Sequence, residues 1–490
     1  MTVQQTHICV VGAGTMGRGI AQVAVAAGHR VSLVDPDSDQ QRAATAEIVR
    51  RLSRNRPDAG AMVAAQLTVW TGIADVPPVS NTVVIEAIIE NLEAKQSVFR
   101  QSFDHFGPGC ILATNTSSLS VTEIAAGVQD PSRVVGMHFF NPVPAMRLIE
   151  VVHALQTDPV AADAIAALGT SWGKHVAHVR STPGFIVNRV ARPFYGESLR
   201  LVEEGAASPE CIDELFRSAG QFRMGPFELM DLIGTEVNYT VTKTVWRAFN
   251  YDPRFAPSQL QGEIVAAGRF GRKTGRGFYD YGENVPRPMP DPARSAAECP
   301  DAVTLHGSST QLETLLTRAG IGATVGESGA VPRIEIPGIG SVVVTRGKTS
   351  REESSLLSQP ALVLDRCMDP AQTSALALAS DDELLTASVV AVLDRAGVRP
   401  YLIADTPGLV IARVLSMIAN EAWEAAQQNV ASPDDIDTAM TLGTNYPFGP
   451  FEWSGKWSPA CVLEVIDGLW WEYRDPRYRA SLRLRMSARA

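Results

Sequence analysis

His138 and Glu150 stand twelve residues apart in the run Val134-Val-Gly-Met-His-Phe-Phe-Asn-Pro-Val-Pro-Ala-Met-Arg-Leu-Ile-Glu150. Imidazole is the side chain whose free pKa lies nearest neutrality. A carboxylate on its far ring nitrogen fixes the tautomer and stabilises the imidazolium that forms when the other nitrogen takes a proton. Such a pair can act as the general base for oxidising a secondary alcohol, provided that something else accepts the hydride. The chain opens on a candidate holder for that acceptor, the glycine-rich turn Gly12-Ala-Gly14-Thr15-Met16-Gly17. Ser117 and Asn188 can donate hydrogen bonds to the developing ketone oxygen, and Asn141 can hold the nicotinamide or substrate side of the site. These residue types make His138, Glu150, Ser117 and Asn188 candidate catalytic residues, although one histidine on an apolar strand reads by itself as a satisfied core histidine.

The elements that must position these residues read as a doubly wound α/β domain. His7-Ile-Cys-Val-Val11 is an apolar run of strand length, the glycine turn follows, and Ile20 to Ala27 continues as an apolar helix before a second strand, Val31-Ser-Leu-Val-Asp35. In a βαβ unit Gly12 permits the tight turn, Gly14 lets backbone approach a pyrophosphate and Gly17 lets helix and strand pack closely. Free N–H groups at the helix start, around Thr15 and Met16, would face the phosphates. Asp35 is placed to accept hydrogen bonds from an adenosine ribose, and its charge would repel a 2′-phosphate, which predicts NAD over NADP. Two further strands, Thr82 to Glu90 and Cys110 to Ser118, end in polar residues. Glu90, Asn115 and Ser117 should therefore converge on the crevice beyond the strand ends, while Ser118 reads as the cap of the following helix.

Taken in order, the glycine turn, Asn115-Thr-Ser117-Ser118, His138-Phe-Phe-Asn141-Pro and Pro183-Gly-Phe strongly resemble the signature of L-3-hydroxyacyl-CoA dehydrogenases. The resemblance implies NAD as cofactor, a (3S)-3-hydroxyacyl-CoA thioester as substrate, and contact of Glu90 and Lys95 with the NAD ribose. Phe270-Gly-Arg-Lys-Thr-Gly-Arg-Gly-Phe-Tyr279 looks like the family's Lys-Thr-Gly-x-Gly-Phe-Tyr loop. The run Ser181 to Tyr195 and the tandem arrangement are similar to the bacterial phenylacetate-pathway members, which oxidise 3-hydroxyadipyl-CoA or 3-hydroxybutyryl-CoA. A CoA partner fits Glu47-Ile-Val-Arg50-Arg51-Leu-Ser-Arg54, whose arginines could meet nucleotide phosphates or form an ordinary solvated helix face. A dehydrogenase of a free hydroxy acid, and a nucleotide-binding protein without activity, are the rival readings. The other seven histidines, His7, His29, His105, His153, His175, His178 and His306, read as surface or loop residues.

The chain repeats itself. Ser181-Thr-Pro-Gly-Phe-Ile-Val-Asn-Arg-Val190 returns as Asp405-Thr-Pro-Gly-Leu-Val-Ile-Ala-Arg-Val414, and Gly225-Pro-Phe-Glu228 as Gly449-Pro-Phe-Glu452, both 224 positions later. Where the first copy has Asn188 the second has Ala412, so catalysis is expected in the first copy alone. The predicted organisation is a Rossmann-like domain over 1–182, a helical domain over 183–281, an exposed proline-rich linker over 282–301, a degenerate α/β segment over 302–404 and a second helical copy over 405–490. The two helical copies should form an intrachain pseudo-dimer, with a homo-oligomer left open. The net charge of −10 over 490 residues argues against nucleic acid. No apolar run reaches the roughly 18 residues of a membrane helix. The N-terminus lacks a signal-peptide pattern, and six scattered cysteines suggest reduced thiols without a metal site. Together these predict a cytoplasmic location.

Overall fold

The computed structural model describes residues 6–283, 285–329 and 331–489, which divide into two compact units. The first comprises Met1–Arg189 and Gln428–Asn445. Its strands are β1 (His7–Val11), β2 (Val31–Val34), β3 (Leu67–Trp70), β4 (Thr82–Glu86), β5 (Ile111–Thr114), β6 (Val134–Phe139), β7 (Leu148–His153) and β8 (His175–Arg180). They form one sheet in the order β3-β2-β1-β4-β5-β6-β7-β8. Pairing is parallel as far as β6; β7 then runs antiparallel to β6, and β8 parallel to β7. The strands read as nearly unbroken apolar runs because helices cover the sheet. Ile8, Val10, Leu33, Ile85, Ala113, Met137, Ile149 and Val151 form its buried core with helix residues such as Ile20, Ala24 and Ile165.

The β6–β7 reversal matters most for function, because it sets His138 directly opposite Glu150 in the ladder. Helix Pro433–Thr444 also packs on β7 and β8. Part of the expected second helical copy thus belongs to the first unit, since its apolar face lies on that sheet edge. Three histidines are corrected as well: His7, His29 and His306 are buried, His7 bonding Thr82 and Ser32, His29 the carbonyl of Thr6 and His306 the Glu335 carboxylate.

The second unit comprises Val190–Gln427 and Tyr446–Ala490. It opens with helices Arg192–Glu203, Pro209–Ser218, Pro226–Ile233 and Thr235–Ala248. Ser208 caps the second of these by accepting from the Cys211 N–H, and Gly225 precedes proline at the start of the third, both of which the sequence pattern predicts. The expected linker is tied down: Arg287 pairs with Glu228, and the Ala293 N–H donates to the Pro400 carbonyl. A second sheet follows, with β9 (Ala302–His306), β10 (Gly322–Val325), β11 (Arg333–Ile336), β12 (Gly340–Val344), β13 (Ala361–Leu364), β14 (Ala375–Ala379) and β15 (Arg399–Leu402).

The order of this sheet, β10-β9-β11-β12-β13-β14-β15, retraces the first sheet from β2 to β8 without a counterpart of β3. An antiparallel β11 occupies the place of β4, and β13–β14 is reversed as β6–β7 is. Helix Ile411–Gln427 packs along Arg192–Glu203. Arg413 pairs with Glu197 and Glu204 there. Two further ion pairs are reciprocal: Arg254 of the first copy bonds Glu421 of the second, and Arg477 of the second bonds Glu197 of the first. Glu197 and Glu421 are repeat equivalents, 224 apart.

Register shows what became of the site in this half. Glu150 pairs with Ala177, and Ala377 pairs with Tyr401, which stands 224 positions after Ala177. Ala377 therefore occupies the place of Glu150. The Asp365 N–H bonds the Ala377 carbonyl, so Asp365 occupies the place of His138. Its carboxylate accepts from the N–H groups of Arg366, Val410, Ile411 and Ala412. Burial pushes this carboxyl up to about 6 even so. Asp365→Ala should leave four donors without their acceptor and lower unfolding stability by roughly 3 kcal/mol or more, measured by urea denaturation. A loss below about 1 kcal/mol would mean that Asp365 does not hold this junction.

Candidate active site

His138 lies on β6 among apolar neighbours, 5% exposed, with Phe140 and Phe185 packed on its ring. Its Nδ1 is 2.6 Å from Glu150 Oε2. The other oxygen of Glu150 accepts from the N–H groups of Ile186 and Val187, each at 3.0 Å. One buried carboxylate thus orients the imidazole and fastens the start of the helical turn Val187–Val190, which carries Asn188. Asn188 is half-buried, whereas its repeat partner Ala412 is wholly buried. Asn141 is exposed in the loop between β6 and β7.

A second network lies at the ends of β4 and β5. Glu86 is fully buried, accepting from Lys95 Nζ at 2.6 Å, from the Thr114 hydroxyl at 2.7 Å and from the Ile88 N–H. Lys95 Nζ also reaches Glu90 at 3.1 Å. Glu90 in turn accepts from the Thr116 hydroxyl, the N–H groups of Ser117 and Ser118 and the Ser118 hydroxyl. Burial opposes its charge, but Lys95 and these hydroxyls hold its carboxyl below the ordinary value. The Lys95 side chain is only 1% exposed and pinned between two carboxylates, and so orders Glu90. One expectation is corrected: Ser118 bonds Glu90, and the cap of helix Val121–Ala125 is Ser120.

Ser117 stays exposed on the loop that Glu90 holds, and the Asn115 side-chain oxygen accepts from the Phe139 N–H, tying that loop to the strand bearing His138. Glu86 and Thr116 were not singled out from sequence. An acidic residue closing the apolar strand Thr82–Glu86 is the signal that could have found Glu86.

The glycine turn fits a dinucleotide. A Cβ on Gly17 would fall 1.7 Å from the Gly12 carbonyl oxygen and one on Gly12, at φ +107°, 2.6 Å from that of Ala87, so neither position admits a side chain. At Gly14 nothing lies within 4 Å, leaving open space at the start of helix Thr15–Ala26 for a pyrophosphate. Asp35 follows β2 and accepts from the Ala13 N–H at 2.7 Å, which brings its carboxylate to the same turn. Arg50 and Arg51 both close on Glu47, as does Arg18 at 2.6 Å, while Arg54 lies exposed beyond the helix end. Among the described residues no cluster could hold a metal ion, all six cysteines are free, and no helix is long and apolar enough to cross a membrane.

The chain matches three family descriptions: the NAD binding domain of 3-hydroxyacyl-CoA dehydrogenase over residues 7–182, the C-terminal domain of the same enzymes over 184–281 and again over 408–490, and a 3-hydroxybutyryl-CoA dehydrogenase reduced Rossmann-fold domain over 342–407. It is 38% identical to the 3-hydroxyadipyl-CoA dehydrogenase of Escherichia coli K12, covering 100% of this chain and 98% of the relative. It is also 38% identical to the pig mitochondrial hydroxyacyl-coenzyme A dehydrogenase over 56% of this chain and 91% of that one. A crystal structure of 3-hydroxybutyryl-CoA dehydrogenase from E. coli K12 superposes with a TM-score of 0.89 at 37% identity, covering 99% of this chain and 98% of that chain. The chain belongs to the 3-hydroxyacyl-CoA dehydrogenase family, whose members oxidise 3-hydroxyacyl-CoA thioesters with NAD.

Proposed function

We propose that His138 takes the hydroxyl proton of a (3S)-3-hydroxyacyl-CoA and that Glu150 holds it in the tautomer the step requires. The 2.6 Å bond between Nδ1 and the buried Glu150 carboxylate carries this reading. With the Nδ1 proton committed to Glu150, Nε2 keeps its lone pair for the substrate proton. The imidazolium then sits against a negative charge already in place. Bound NAD supplies the hydride acceptor. Ser117 and Asn188 donate to the oxygen as it becomes a ketone, and Asn141 holds the nicotinamide or thioester side. Gly12, Gly14, Thr15, Met16 and Gly17 receive the pyrophosphate, Asp35 the adenosine ribose, and Glu90 and Asn115 the nicotinamide side.

Relatives named for 3-hydroxyadipyl-CoA and 3-hydroxybutyryl-CoA support a short acyl chain, and Arg50, Arg51 and Arg54 are the candidates for the CoA phosphates. The reciprocal pairs Arg254–Glu421 and Arg477–Glu197 support a pseudo-twofold pairing of the two helical copies, since an isologous contact repeats each interaction with the partners exchanged. Turnover of acetoacetyl-CoA with NADH, without turnover of free hydroxy acids, separates this reading from that of a free hydroxy-acid dehydrogenase. NADH oxidation at all separates it from a binding protein.

His138→Ala should lower kcat by on the order of 10²–10⁴ with NADH affinity nearly unchanged. Glu150→Gln should lower it over a similar range: its amide can keep accepting from Ile186 and Val187 only by turning an N–H towards Nδ1, which moves the ring proton to Nε2. A His138→Ala enzyme above half of wild-type kcat would rule out the base. Asp35→Ala should weaken NADH binding and narrow its lead over NADPH, and equal wild-type kcat/KM for the two cofactors would remove Asp35 as the discriminator. Asn188→Ala should cut kcat by about 10-fold or more, and an unchanged kcat would take the ketone-oxygen role from it.

A further inference from the structure

Two lysines are buried among the described residues, and they are satisfied in different ways. Lys95 lies between the carboxylates of Glu86 and Glu90. Lys174, 8% exposed, has no carboxylate partner among the described residues: its Nζ donates to the Val143 carbonyl at 2.6 Å and to the Met146 carbonyl at 2.7 Å. Burial holds its pKa below that of an ordinary lysine. An ammonium removed from water is costly unless strong acceptors replace the solvent, and charge-assisted bonds of this length do so.

Both carbonyls belong to the loop over 140–147, which joins β6 to β7 and carries Asn141. Val143 is the one buried residue of this loop, and no backbone N–H reaches either carbonyl among the described residues. The Val143 side chain packs on helix Thr15–Ala26, where a Cβ on Gly19 would fall 2.9 Å from the Val143 Cβ. The loop is thus joined by Val143 to the helix whose start is open for the pyrophosphate, and tethered by Lys174. The next residue ties its end, since the His175 N–H donates to the Arg147 carbonyl at 2.7 Å. All of these groups belong to the first unit.

The repeat separates what the fold needs here from what the site needs. Ala177 and Tyr401 are equivalent, so Lys174 corresponds to Val398. The backbone is the same around both: Gly173 and Gly397 have φ +75° and +70°, and the Lys174 N–H donates to the Gly169 carbonyl as the Val398 N–H does to Leu393, 224 positions on. The turn forms without a lysine. In the half where Asp365 stands in the place of His138, the lysine is absent too.

We propose that Lys174 is a positioning residue for hydride transfer, which tethers the 140–147 loop so that Asn141 is held against the nicotinamide end of NAD. This rests on Asn141 facing the site, as proposed above, and adds what fixes it there and which side it serves. The nicotinamide side follows from Val143, which joins the loop to the cofactor helix. Lys174 itself, committed to two carbonyls, acts only through the loop.

The test compares NADH with ADP-ribose, which has the same adenosine and pyrophosphate and lacks the nicotinamide. Lys174→Met keeps the apolar stem and removes both bonds; it should weaken NADH binding by about 10-fold and lower kcat by about 10-fold or more, with ADP-ribose binding nearly unchanged. A lysine that serves only folding or the cofactor helix would weaken both ligands equally or neither, and either result overturns the proposal. So does a rise in KM for acetoacetyl-CoA alone. Lys174→Gln, which can keep one of the two bonds, should show a smaller contrast between the ligands, and it is read in the same way if the methionine variant does not fold. Asn141→Ala tests the underlying reading. Should it leave both affinities unchanged, the role proposed for Asn141 fails, while the contrast between the two ligands in Lys174→Met still decides whether the loop is held for the nicotinamide.

Discussion

The Glu150 carboxylate is the constraint on which the rest of the site depends. One oxygen faces the His138 ring and the other holds the N–H groups of Ile186 and Val187, so the tautomer of the histidine and the position of the turn carrying Asn188 have a single origin. A buried carboxylate is tolerable because every lone pair that matters has a donor. The β6–β7 reversal makes this possible, since only an antiparallel neighbour can bring residues twelve apart in sequence face to face across the ladder.

The second half of the chain separates the structural part of that arrangement from the chemical part. Asp365 still receives the N–H groups of Val410 and Ile411, the repeat partners of Ile186 and Val187. It does so from the His138 position, while Ala377 stands where Glu150 would be. The carboxylate that fastens strand to helix persists and the imidazole is gone. Unsatisfied N–H groups at this junction would destabilise the fold in either half, and Asp365 meets that need without an imidazole. The repeated Ser-Pro and Gly-Pro helix starts follow the same logic, because caps serve folding and are needed in both copies.

The Glu86–Lys95–Glu90 network works similarly for the cofactor side. Lys95 is buried between Glu86 and Glu90, and by holding Glu90 it fixes the backbone of Thr116 to Ser118, leaving Ser117 exposed on that loop.

By itself the sequence determined the elements whose signal is local: the glycine turn between a strand and a helix, the helix starts at Ser208 and Gly225, and the 224-residue repeat. These follow from backbone conformation, capping and periodicity, which act within a few residues or recur at a fixed interval. Tertiary structure alone decided what depends on long-range pairing and burial. The antiparallel β11 in the place of β4, the attachment of helix Pro433–Thr444 to the first sheet, the burial of His7, His29 and Lys95, and the substitution of Asp365 for the dyad depend on which surfaces meet.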